Sequence, residues 1–177
     1  LACAQAFLEE GTRVSLVSRQ SANLDAARQT LLAQFPDAQI STHAADLRDS
    51  AAAVTALQAA EAALGPVDVL VNSAGAAKRT PAEELTPQAW ADAMQAKYFS
   101  YIHMIDPVIK RMAARGTGSI VNVVGNGGKV ASPIHIPGGA ANAALMLASA
   151  GLAAAYAPQG IRVNAVNPGL TLTDRLQ

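Results

Sequence analysis

"PGGAANAALMLASAGLAAAYAPQGIRVNAVNPG", Pro137 to Gly169, decides the fold. Its alanine-rich body favours a helix, and Ala157-Pro158-Gln159-Gly160 supplies the stop. "GIRVNAVNPG" then reads as a short apolar strand leaving through a Pro-Gly turn. Immediately upstream, "GSIVNVVGNGG" is another strand that runs into glycines. Strand, helix and strand in this order make a βαβ unit, which requires a parallel pair.

The same alternation continues towards the N-terminus. "LACAQAFLEEG" resembles a helix body closed by Gly11, and "RVSLVS" alternates as a strand. "SANLDAARQTLLAQFP" carries Leu24, Ala27, Leu31 and Leu32 at helical spacing, with Ser21 as the expected N-cap and Pro36 as its end. "AQISTHAADL" gives a second strand, and "SAAAVTALQAAEAALG" a helix capped by Ser50 and closed by Gly65. "PVDVLVNSAG" is a continuous apolar run, as expected of a strand buried on both faces. Thr86 and Pro87 open a long helix that Pro107 should bend or divide. The predicted strands lie near 13–18, 39–44, 67–73, 118–124 and 161–166, in a doubly wound parallel sheet of Rossmann type with helices on both faces. A single domain over 1–177 is expected.

Composition narrows the function. The formal net charge is +0 and aromatic residues make up only 4%, so neither a basic footprint nor a stacking platform points to nucleic acid. One cysteine, Cys3, excludes an internal disulfide and a Cys-rich zinc site; no metal is expected, and a reducing, cytoplasmic setting fits. Cys3 itself reads as a small buried helix residue among alanines. Gly138 to Ala157 is long enough to span a membrane, but its Ala, Gly, Asn and Ser content favours burial in protein, with close helix contacts.

Four stretches resemble the short-chain dehydrogenase/reductase family: "AADLRD", "DVLVNSAG", "GSIVNVV" and "APQGIRVNAVNPG", in the family's order. The resemblance implies a first strand and a glycine-rich pyrophosphate turn before Leu1, and a helix and strand after Gln177. The chain therefore reads as incomplete at both ends, and the lost strand would leave a gap between the first two strands and the last three.

The resemblance also assigns a nicotinamide dinucleotide site. Arg19 follows the first strand, where an arginine pairs the 2′-phosphate of NADP(H) and an acidic residue would favour NAD(H). NADP(H) is therefore the expected cofactor, with a solvated arginine as the alternative. Asp46 would touch adenine, or cap the local turn. Asn72, Ala74 and Gly75 would line the ribose, and Pro168, Gly169 and Thr173 would lie beside the nicotinamide.

The family's catalytic residues are a serine, a tyrosine, a lysine and an asparagine. The matching positions here hold Gly125, Gly138, Asn142 and Lys97, so the usual proton donation is absent. Lys97 and Asn142 exchange the lysine and asparagine types. Burial would lower the pKa of Lys97 and fit it for acid, base or anchoring work, unless it extends to solvent. His135, one turn before Gly138, is the candidate replacement acid, with a solvent-facing or merely packed imidazole as the alternative. His43, His103 and Tyr98 read as structural, and "GNGGK" as a weak phosphate cradle. The implied activity is NADP(H)-dependent oxidation or reduction of an unknown small carbonyl or alcohol substrate at a degenerate active site. The rival is an inactive homologue that binds the dinucleotide for regulation or assembly. A homodimer or homotetramer is expected, with no membrane or nucleic-acid partner.

Overall fold

A computed structural model describes residues 1–75 and 79–169. They form two compact units, Leu1–Val67 and the part from Asp68 onward, each with its own parallel sheet, where the sequence suggested one domain.

In the first unit β1 (Val14–Ser18) pairs with β2 (Ile40–Ala44) from Val14↔Ile40 to Ser18↔Ala44. Helices α1 (Ala2–Glu9), α2 (Ser21–Gln34) and α3 (Ser50–Leu64) complete it. Ala4 and Leu8, one turn apart on α1, meet Leu31 of α2 and Ile40 of β2, and Val14 and Leu16 join from one face of β1. Cys3 falls beside the Ala4–Leu8 stripe and is exposed, against the expectation of burial. The N-cap of α3 is Asp49, whose carboxylate accepts from the Ala51 N–H at 2.8 Å; Ser50 is already helical. Ser21 likewise begins α2 as its first helical residue, and Gln20 precedes it without a side-chain cap.

The second unit has the order β3-β4-β5, from β3 (Val69–Asn72), β4 (Gly118–Val123) and β5 (Ile161–Val166). Every strand pairing within each sheet is parallel, and the five strands lie within two residues of the predicted bounds. The central strand β4 buries Ser119, Ile120 and Asn122. β3 is an edge of the described sheet, with Asn72 buried and Val69 exposed.

Helix α4 (Pro87–Ala93) opens on Thr86, whose hydroxyl accepts from the Ala89 N–H at 3.2 Å. It continues through a π-helical turn, Met94–Phe99, into α5 (Ser100–Arg115). Pro107 sits inside α5 without dividing it, and a π-helical irregularity lies at 94–99. Helix α6 (Ile136–Tyr156) starts two residues earlier than Gly138, with Pro137 in its first turn. By length and composition Ile136–Gln159 could cross a membrane, but it packs on β5 and buries Pro137, Ala141, Asn142, Leu145 and Ser149 along one face.

Candidate active site

In the second unit the C-terminal ends of the strands gather the unusual residues, the end where parallel α/β sheets bind ligands. β4 supplies the centre. Its last carbonyl, on Val123, accepts two hydrogen bonds: from Lys97 Nζ at 3.0 Å and from Tyr101 Oη at 2.8 Å. Lys97 Nζ also donates to Tyr101 Oη at 2.8 Å and lies 4.5 Å from the centroid of that ring. The π-turn carries Lys97, and irregular turns of this kind recur at functional sites.

Burial governs the charge of this pair. Desolvation lowers the Lys97 ammonium to a pKa of about 8, and the same cause pushes the Tyr101 phenol well above its usual range. An ammonium has three donors. Two are used here, and the third has no partner among the described residues.

The lysine stem lies over Gly75 at the exit of β3. A Cβ there would come within 2.9 Å of Lys97 Cδ, and φ of +136° already demands glycine. Gly125 also has a positive φ, +116°. Its open side faces Asn142 Nδ2, 3.5 Å from where a Cβ would stand.

Asn142 is 7% exposed on the inner face of α6. Gly127 lies between it and His135: a Cβ at Gly127 would be 3.5 Å from Asn142 Nδ2 and 3.4 Å from His135 Cδ2. The imidazole of His135 occupies the space directly above Gly138. A Cβ added to Gly138 would overlap ring atoms Cε1 and Nε2 and reach Nδ1 at 2.8 Å. Backbone bonds fix His135 on both sides, from its N–H to Ser132 O at 3.0 Å and from the Gly139 N–H to its carbonyl at 2.9 Å. The ring thus stands where a side chain on residue 138 would begin.

The glycine run Gly125–Lys129 is a packing device rather than a phosphate cradle. Gly128 approaches the α6 backbone so closely that a Cβ would come within 2.7 Å of Ala143 N. The Asn126 and Lys129 N–H groups are already bonded, to Pro168 O and Asn126 O at 2.9 Å each. Beside it a cavity of about 290 Å³ is lined by Asn126, Gly127, Val130, Ser132, Pro168 and Gly169, among others.

The remaining expected cofactor residues divide into those free to meet a ligand and those already bonded. Arg19 is exposed immediately after β1, in the first unit. Asp46 is bound by Arg48, through its side chain and its backbone N–H, and these bonds hold its carboxyl at about 2, with Arg19 adding a smaller pull. The local-turn reading of Asp46 is the one its bonds display. In the second unit, Asn72 is buried, and its amide donates to Asn122 Oδ1 at 2.9 Å; Asn122 in turn donates to Ser149 at 2.9 Å. Ala74 and Gly75, just past the end of β3, are exposed. Asn167 Oδ1, next to Pro168-Gly169, is buried and has no hydrogen-bond partner among the described residues. A buried acceptor of this kind suits an amide donor from a ligand. Thr173 lies outside the described residues.

Tyr101 escaped the sequence reading. The only available signal was its spacing, four residues after Lys97 on one helix face.

Parallel strands with covering helices and polar groups collected at the strand ends define an α/β fold of Rossmann type. The chain belongs to the short-chain dehydrogenase family, whose model matches residues 1–177. The family binds nicotinamide dinucleotides. D-threitol dehydrogenase of Mycolicibacterium smegmatis is 34% identical over 98% of this chain and 66% of its own length. An NADPH-bound short chain oxidoreductase from Pseudomonas aeruginosa PAO1, described as containing an atypical catalytic center, superposes with a TM-score of 0.94. It is 29% identical over 99% of this chain and 68% of its own. L-sorbose reductase from Gluconobacter frateurii, solved with NADPH and L-sorbose, has a TM-score of 0.91 at 27% identity, covering 98% and 66%. The chain thus spans about two thirds of the length of the curated relatives it matches.

Proposed function

We propose that the protein is an NADP(H)-dependent oxidoreductase acting on a small carbonyl or alcohol, with its proton donor rebuilt around His135. The observation that carries this reading is the imidazole seated over Gly138, in the space that the usual tyrosine would enter.

The bound nicotinamide supplies hydride chemistry. The chain's own residues do the rest. Ala74, Gly75, Pro168 and Gly169 hold the cofactor through small side chains and open backbone. Arg19 pairs the 2′-phosphate, which favours NADP(H) over NAD(H). His135 gives its proton to the carbonyl oxygen on reduction and takes it back on oxidation. Asn142, buried on the inner face of α6, offers its amide to the bound oxygen. Lys97 directs its third N–H into the same neighbourhood as a positive anchor.

A catalytically silent dinucleotide-binding homologue is the second reading, favoured by the departure from the usual residue at all four positions, Gly125, Gly138, Asn142 and Lys97. The two separate on a turnover measurement with NADPH and a panel of ketones and sugars. His135→Ala and Lys97→Ala should each reduce turnover while NADPH affinity, followed by fluorescence, stays within a few-fold. Tight NADPH binding with no turnover in the parent protein selects the silent homologue. The reading carries with it a cytoplasmic homo-oligomer with a small-molecule substrate and neither a membrane nor a nucleic-acid partner.

A further inference from the structure

We propose that Tyr101 is a positioning residue of this centre: its hydroxyl pins the Lys97 ammonium against the Val123 carbonyl and so aims the remaining N–H at the ligand. This rests on the reading of Lys97 as part of the active site.

Three heavy atoms close a triangle: Lys97 Nζ, Tyr101 Oη and Val123 O, with sides of 2.8, 2.8 and 3.0 Å. Tyr101 is 1% exposed on α5, so its ring is set by packing and does not wander. A phenylalanine would fill the same volume. What the phenol adds is one acceptor for the lysine and one donor for the strand end. Among the described residues Lys97 has no acidic partner, and burial is the sole cause of its lowered pKa. The groups that face its amine are therefore the phenol of its own helical stretch and the Val123 carbonyl of β4. Remove the phenol oxygen, and a desolvated ammonium keeps one acceptor. Its four-carbon stem, which lies on Gly75, also loses its distal tie.

The lysine's own titration tests this without any substrate. Lys97 in the whole protein is acylated with a small anhydride between pH 6 and 11, and the modification is mapped by mass spectrometry. The parent midpoint is expected near pH 8. Tyr101→Phe should lower it by about one unit, roughly tenfold in acidity, because the charged form loses a hydrogen-bond acceptor. The plateau rate at high pH reports access separately. A midpoint unchanged in Tyr101→Phe, even with a lower melting temperature, makes Tyr101 a packing residue and overturns the proposal. If that variant does not fold, incorporation of 3-fluorotyrosine keeps the side-chain volume and weakens the acceptor. An unmoved midpoint there overturns the proposal equally. Turnover in Lys97→Ala is a different measurement: if it survives, the assignment of Lys97 fails, whatever the acylation shows.

Discussion

Gly138→Ala adds one methyl group where the His135 imidazole now lies. The backbone at 138 is helical, so alanine should gain roughly 0.5–1 kcal/mol in conformational terms. Against that, the new Cβ overlaps Cε1 and Nε2 and sits 2.8 Å from Nδ1, so the ring must leave. Turning a partly exposed imidazole off its preferred rotamer costs about 0.5–1.5 kcal/mol. The two effects nearly cancel, and the melting temperature should shift by no more than a few degrees. Catalysis should respond very differently. Losing a placed acid removes roughly 10²–10⁴ in rate, or about 3–5.5 kcal/mol of barrier. The assay pairs NADPH oxidation at 340 nm, on whichever carbonyl the parent reduces best, with a thermal melt and the His135 ring signals by NMR. Stability should hold, the ring signals should move, and turnover should match that of His135→Ala. A displaced ring with turnover within twofold of the parent would refute His135 as the proton donor.

Other expectations follow from separate features. Arg19→Asp should reverse the preference from NADP(H) towards NAD(H) by titration, since a carboxylate repels the 2′-phosphate and accepts from the ribose hydroxyl. Lys97 has a folded pKa of about 8 against 10.5 for the free side chain, so between those pH values the unfolded chain binds more protons. Its contribution to stability therefore rises with pH across that window, and a difference in melting temperature between parent and Lys97→Met that stays flat from pH 8 to 10.5 would contradict this. Leu147 is 77% exposed on the Ala- and Gly-rich outer face of α6, and Trp90 and Phe99 are also exposed. Self-association should cover this face; sedimentation of Leu147→Glu should show smaller species than the parent, and a parent that is already monomeric at micromolar concentration would refute it.

Strand positions were readable because parallel strands are short apolar runs bounded by glycine, proline and small polar residues. β5 was found at 161–166 without error. The caps were less legible. Asp49 and Ser50 are both good N-cap types, and only the bond to Ala51 N distinguishes them. Pro107 does not divide α5, while the unmarked segment 94–99 takes the π-turn. Exposure of Val69 and Cys3 depends on which neighbours a strand edge or helix face finds, and composition does not encode that.

By itself the sequence determined the βαβ alternation and the parallel pairing, since each is a matter of local pattern. It also put forward Lys97, His135 and Asn142 as candidates, by their positions in the family pattern it resembles. Tertiary structure alone decided what the three can touch. The imidazole's seat over Gly138 depends on the loop from Ser132 and the first turn of α6, and the Lys97–Tyr101–Val123 triangle joins a π-turn to a strand 26 residues away. Asn72 and Asp46 lost their free side chains to Asn122 and Arg48 in the same way. Hydrogen bonds and van der Waals overlap act over a few ångströms, and which atoms come that close is settled only when the chain has folded.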